Sequence, residues 1–357
     1  MPHLNRQFIS YPNSITLLVI ILLLTACSST QFTQTTTLPT PIASAAKPHA
    51  GSNTPEIFST QIHLETPPST QNSTLDPSQT AQSSVMPMEA STFLASTPTA
   101  LSPTDWMSLP ILPMVSQTAR QIYQRGIDLG NDPHAFSKIG DCQSIPTYFL
   151  SYFDMPDFYD LGEYTALQQT IDWYAGSFSR TSLAAKGGFN AAAILSPLRA
   201  DPKQCNPNEN PIACEFRLNR PSITIISLEE WWAGHPENYE TYMRQIIEYS
   251  IEQGVVPIIA TKADNLEGNH LINQTIANLA QEYDIPLWNF WAAAQPLPNH
   301  GLIAENSSGE ADRFHLSHSE GYYFYNDPKA AQSGWSIRNL TALQALDAVR
   351  LGLSKQP

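Results

Sequence analysis

Ser222-Ile223-Thr224-Ile225-Ile226-Ser227-Leu228 is the stretch on which the fold class turns. A β-branched run so nearly continuous in apolarity reads as a strand buried on both faces, which is the habit of a parallel sheet. The sequence around it repeats the theme. Residues 239–253 read as a helix, 255–261 as a second apolar strand, 269–283 as a helix and 286–290 as a third strand, and 339–353 close the chain as a helix. Upstream, residues 116–129 carry Ala119, Ile122, Tyr123 and Ile127 at helical spacing. Residues 136–139 make a short strand, 145–152 a buried helix with Pro146 in its first turn, and 164–178 a further helix. Gly187-Gly188 opens a turn before residues 191–195. Strands alternating with helices predict parallel βαβ units with right-handed crossovers, hence an α/β fold, a three-layer α/β/α sandwich.

The sandwich needs only part of the 357 residues. The first 26 are polar up to Asn13, with Arg6 the sole basic residue, then apolar over 15–24 and closed by Leu24-Thr25-Ala26 before Cys27. Ten helical residues cover about 15 Å of a ~30 Å hydrocarbon core, so this is a secretory signal and not a spanning helix. Leu-Thr-Ala-Cys resembles the bacterial lipobox. The resemblance implies cleavage before Cys27, acylation of that cysteine and attachment to a membrane on the outer, extracytoplasmic side; an uncleaved signal anchor is the alternative. Residues 27–105 are dominated by Ser, Thr, Pro, Ala and Gln. Such a segment buries too little apolar area to offset its ordering entropy and reads as a disordered tether with a reach of roughly 45–50 Å. Residues 106–357 are long and aromatic enough for one large α/β domain.

A net charge of −14, with no cluster of Lys or Arg, argues against a nucleic-acid partner. Cys205 and Cys214 flank a short Pro/Asn/Glu-rich loop and make a reasonable disulfide in an exported protein. Cys142 is then left over, either a buried small hydrophobe or a reactive thiol.

In open parallel sheets the functional crevice lies at the carboxyl ends of the strands. Gly140-Asp141-Cys142 follows the first strand, Glu229-Glu230 the central one, and Thr261-Lys262-Ala263-Asp264 the next. About 170 residues after Cys142 come Asp312-Arg313-Phe314-His315. A nucleophile, a base and a carboxylate that orients the base form the triad pattern. On these residues the chain resembles the SGNH/GDSL hydrolases, over residues 136–353. The resemblance rests on Gly140-Asp141-Cys142, on Gly188, and on Asp312 and His315. It implies a flavodoxin-like sheet, hydrolysis of O-acyl esters such as acetylated polysaccharide, no cofactor, and an oxyanion hole from the backbone N–H groups of Cys142 and Gly188.

The chain departs from that family twice. Cys142 stands where the family has serine; a thiolate is competent, and a helix N-terminus beside a histidine would lower its pKa. Ser144 could take its place only in a shifted turn. The family's Gly-x-Asn-Asp block is replaced by Glu229-Glu230-Trp231-Trp232, which offers no amide donor to an oxyanion. Asn190 is either a substitute donor or a helix cap. Trp231 and Trp232 are either core packing or a stacking platform for a sugar ring. The second reading of the chain is accordingly an inactive hydrolase-like fold that binds a glycan. His300, His315 and His318 lack the spacing of a metal site, and no metal is expected.

Overall fold

The computed structural model describes residues 104–228, 237–305, 309 and 312–354. The signal segment, Cys27, the tether short of Thr104, and the Glu229 to Trp232 block all lie outside the described residues.

Four strands, β1 (Asp132–Gly140), β2 (Pro221–Ser227), β3 (Val256–Ala260) and β4 (Leu287–Trp288), form one sheet in that order. Every neighbouring pair is parallel. The described helices are α1 (Gln117–Asp128), α2 (Gln168–Trp173), α3 (Ala191–Ile194), α4 (Pro211–Asn219), α5 (Glu237–Glu252), α6 (Leu271–Glu282), α7 (Phe290–Ala294) and α8 (Gly334–Ser354). Every residue of β2 and β3 is buried, as the apolar runs require of strands covered on both faces. Helix α1 lies against β2, β3 and α8, while α5 lies against β3, α3 and α6. Two groups of helices about a parallel sheet with buried central strands are compatible with three layers.

Three elements differ from expectation. Residues 145–150 form turns and 151–152 open a short 3-10 helix (Ser151–Asp154) in place of the expected helix: Leu150 takes a left-handed conformation, φ 65°, and its N–H donates to Asn339 Oδ1 at 2.7 Å. Asn339 Nδ2 also donates to the Tyr148 carbonyl at 3.0 Å. The segment's backbone groups are thus satisfied by a side chain of α8, which overrides local propensity. The helix expected over 164–178 shrinks to α2 preceded by a 3-10 turn, Gly162–Leu167. Helix α4 is not among the expected elements, and its first turn falls in the expected loop between the two cysteines; Asn210 caps it, accepting from Ala213 N–H at 2.9 Å, and Pro211 fills its first position. That pairing of cap and proline is the local signal for a helix start.

Cys205 and Cys214 are joined, with Cα atoms 5.3 Å apart, fixing the loop to α4. The next residue, Glu215, is fully buried and accepts from Ser137 Oγ at 2.7 Å, from Leu183 N–H at 2.8 Å and from the Arg180 guanidinium. Beside it the buried Lys138 of β1 donates to the Phe178 carbonyl. Burial first, and repulsion from Arg180 second, push the Lys138 ammonium down to about 7, against the opposing pull of Glu215 and Asp154. The folded value lies below the ordinary 10.5. Between the two values the unfolded chain therefore holds a proton the folded one lacks, and stability rises with pH. The unfolding free energy from urea titrations is expected to climb between about pH 7 and 9, and Lys138→Met to flatten that climb; identical slopes would refute the assignment. The double replacement of Cys205 and Cys214 by serine is expected to cost about 2.5 kcal/mol in the same assay.

Candidate active site

Strand β1 ends on Gly140, and the chain turns at once. Asp141 Oδ1 accepts the Gln143 N–H at 2.8 Å and the Asp141 carbonyl accepts the Ser144 N–H at 3.1 Å. Cys142–Ser144 is a single 3-10 turn and does not open the expected helix. Ser144 folds back over the strand, its buried hydroxyl donating to the Ser227 carbonyl of β2 at 3.2 Å. A Cβ on Gly140 would sit 2.0 Å from Ser144 Oγ and 2.4 Å from the Ser227 carbonyl oxygen. The turn can close only over a glycine. This places Ser144 as the tie between turn and sheet, with Cys142 in the same turn and buried, 6 % exposed.

Gly140 also defines the other side of β1. Its N–H donates to the Ala184 carbonyl at 3.0 Å, and its carbonyl accepts from Lys186 N–H at 3.2 Å. The two polar groups of one strand residue point to one side, so residues 184–186 run along the edge of β1 opposite β2. Gly140 and Ala185 pair in parallel there. The chain then reverses through a turn closed by Phe189 N–H on the Lys186 carbonyl at 3.0 Å, with Gly188 at φ 78°. Glycine suits that conformation. The turn packs beside the thiol: a Cβ on Gly187 would lie 3.8 Å from Cys142 Cβ. Asn190 caps α3, its Oδ1 accepting from Ala193 N–H at 2.9 Å. The cap role is therefore filled, and its Nδ2 is the group that could serve an oxyanion.

The second piece, at Asp312 and His315, is locally complete. Asp312 Oδ1 accepts the N–H groups of Phe314 and His315 at 3.0 and 2.9 Å, and Oδ2 meets His315 Nδ1 at 2.9 Å. A carboxylate only accepts, so Nδ1 carries the proton and Nε2 is left as the basic atom. The Asp312 side chain is 11 % exposed and the His315 side chain 39 %. Burial alone would raise the Asp312 carboxyl; the hydrogen bonds from His315 and Phe314 outweigh it and hold the group below the ordinary range. The loop is braced by Ile303 N–H on the His315 carbonyl at 2.9 Å and by Trp335 N–H, from α8, on the Ser317 carbonyl at 2.9 Å.

The two pieces are linked through their neighbours: Gln143 Nε2 donates to the Phe314 carbonyl at 3.3 Å. From below, Arg338 of α8 donates to Ser227 Oγ at 2.8 Å and to the Gln143 carbonyl at 3.4 Å. Its guanidinium carbon lies 5.0 to 5.9 Å from the ring centres of Phe149, Phe290, Trp288 and Trp335. Neither Gln143 nor Arg338 was singled out from sequence. Gln143 sits in no pattern beyond its position after Cys142, and an arginine inside an amphipathic helix reads as solvated.

No protein-family model, curated protein or solved structure matches this chain. The functional reading consequently rests on the geometry above. His300 Nδ1 bonds the Gln295 carbonyl at 3.1 Å. Among the described residues, the one group of three possible metal ligands close enough to share an ion is Cys205, Glu209 and Cys214, and the disulfide takes both sulfurs. No described helix is long and apolar enough to cross a membrane.

Gly140→Ala is expected to destabilise the protein by about 3 kcal/mol or more, since one obstructing atom is a backbone oxygen that cannot swing aside. Unchanged urea midpoints would show that the turn can move off the strand.

Proposed function

We propose that the protein is an SGNH/GDSL-type hydrolase of O-acyl esters, held outside the membrane by a lipid on Cys27 and working through Cys142, His315 and Asp312 without a cofactor. The observation that carries the reading is the Asp312–His315 pair, already oriented and joined by one hydrogen bond to the turn bearing Cys142, at the carboxyl edge of a parallel sheet. The sheet supports it too. If residues 184–186, paired to Gly140, count as the second strand in sequence, the order becomes 2-1-3-4-5, that of flavodoxin-like sheets. Their ligand crevice opens at the switch point where Cys142 lies.

In this mechanism Cys142 Sγ attacks the ester carbonyl carbon as His315 Nε2 takes the thiol proton. The oxyanion is received by the N–H groups of Cys142 and Gly188, with Asn190 Nδ2 as a third donor. Collapse breaks the carbon–oxygen bond, and the imidazolium returns its proton to the departing alcohol. Water, deprotonated by His315, then attacks the thioester, which releases the acid and restores the thiol. Asp312 stays anionic throughout and steadies the imidazolium. Acetyl groups on extracellular polysaccharide are a substrate class within reach of a tethered enzyme.

Hydrolysis of a short-chain nitrophenyl ester tests the reading. Cys142→Ala and His315→Ala are each expected to cost about 1000-fold or more in kcat/KM, and Asp312→Asn a smaller but clear factor. Equal rates in wild type and all three variants would overturn it and turn attention to glycan binding.

A further inference from the structure

We propose that Gln143 is a positioning residue that sets the distance between the Cys142 thiol and the His315 ring; this rests on the catalytic reading above. Four observations carry it. Gln143 adjoins the thiol, and its carboxamide donates to the Phe314 carbonyl, adjoining His315. Its own backbone is held at both ends, by Asp141 Oδ1 on its N–H and by Arg338 on its carbonyl, so the side chain has a fixed base from which to reach. It bonds the two short pieces to each other directly, while Ser144 ties the first to the sheet and backbone bonds tie the second to residues 301–304 and to α8. Finally, Gln143 is 1 % exposed, yet its Oε1 makes no hydrogen bond.

The last point separates positioning from mere stability. A buried amide with half its polar capacity unmet is a poor filler, because an apolar side chain of similar size would leave no orphaned acceptor. The Phe314 carbonyl it serves belongs to a half-buried loop residue and not to the core. Stability therefore favours leucine or methionine at 143, and only the register of the His315 loop favours glutamine. Loss of the amide lets that loop drift, and a proton transfer between sulfur and Nε2 tolerates little drift.

Thiol alkylation tests this without any substrate. Cys142 is the cysteine outside the disulfide among the described residues, so the rate of its modification by iodoacetamide, followed by peptide mass spectrometry from pH 5 to 9 on the full chain, reports the thiolate. Wild type is expected to show an apparent thiol pKa well below the ordinary value near 8.5, and His315→Ala to abolish the depression. Gln143→Leu is expected to keep or raise Tm while slowing alkylation at pH 6 by about tenfold, the effect of a one-unit rise in thiol pKa. Gln143→Glu provides a second arm. Ionised, the carboxylate repels the Phe314 carbonyl; protonated, it can donate as the amide does. Its alkylation rate relative to Gln143→Leu should thus rise as pH falls, whatever His315 does in both. A Gln143→Leu profile identical to wild type, or a fall in Tm with an unchanged profile, would overturn the positioning role while leaving the Cys142–His315 pair intact. If instead His315→Ala leaves the wild-type profile unmoved, or Cys142 is not alkylated at any pH, the pairing itself fails and the proposal with it.

Discussion

Everything at the carboxyl edge of the sheet depends on how little room there is above Gly140. The residue is paired on one side with residues 184–186, bounded on the other by Ser227 of β2, and roofed by Ser144. With no Cβ, β1 can end and reverse within a single turn, which lifts Cys142 above the sheet while Ser144 Oγ fastens the far side of that turn to β2. The same glycine's two polar groups anchor the segment leading to Gly187 and Gly188. One missing methyl group thus registers both the Cys142 turn and the backbone beside it.

Beneath this edge the cation is Arg338. A guanidinium stays protonated, so burying it is costly unless its surroundings replace water. Here Phe149, Trp288, Phe290 and Trp335 present rings within about 6 Å, the range of useful cation–π attraction. Ser227 and the Gln143 carbonyl accept hydrogen bonds from it. These groups come from the turn after β1, from β2, from β4 with α7, and from α8 itself. Arg338 consequently joins four parts of the chain that must agree in position for the site to exist. Apolar filler would serve packing equally well, but it could not hold the Gln143 carbonyl.

The sheet was legible from sequence because its burial is carried by short-range pattern. The runs around Ile223, Ile225 and Ile226 and around Ile258 and Ile259 leave no polar face to present to water, and both became central parallel strands. The disulfide was legible from spacing and context. Of the site, the triad residues could be nominated by type and order, and the Asp312–His315 contact followed because three residues separate the partners. What was not legible lies in long-range satisfaction of backbone groups. Residues 145–152 carry a helical composition, but Asn339, almost two hundred residues away, takes the N–H of Leu150 and the carbonyl of Tyr148. No window of sequence contains that competitor. Gln143 and Arg338 escaped for the same reason, since each acquires its role from partners far along the chain.

The single turn at Cys142 also changes how a thiolate can be stabilised. A helix beginning there would offer unpaired N–H groups and a macrodipole to the sulfur. In this turn the N–H groups of Gln143 and Ser144 are already taken, by the side chain and the carbonyl of Asp141. A turn this short also has no run of aligned peptides behind it. Under the proposed mechanism the work of favouring the charged sulfur passes to the imidazole, whose positive form Asp312 would stabilise as a carboxylate held below its usual pKa. An ion pair is far more sensitive to separation than a helix end is, because its energy falls directly with distance. If the site works through such a pair, it exchanges a broad field for a narrow one, and the proposed mechanism then depends on the contact that keeps its two loops in register.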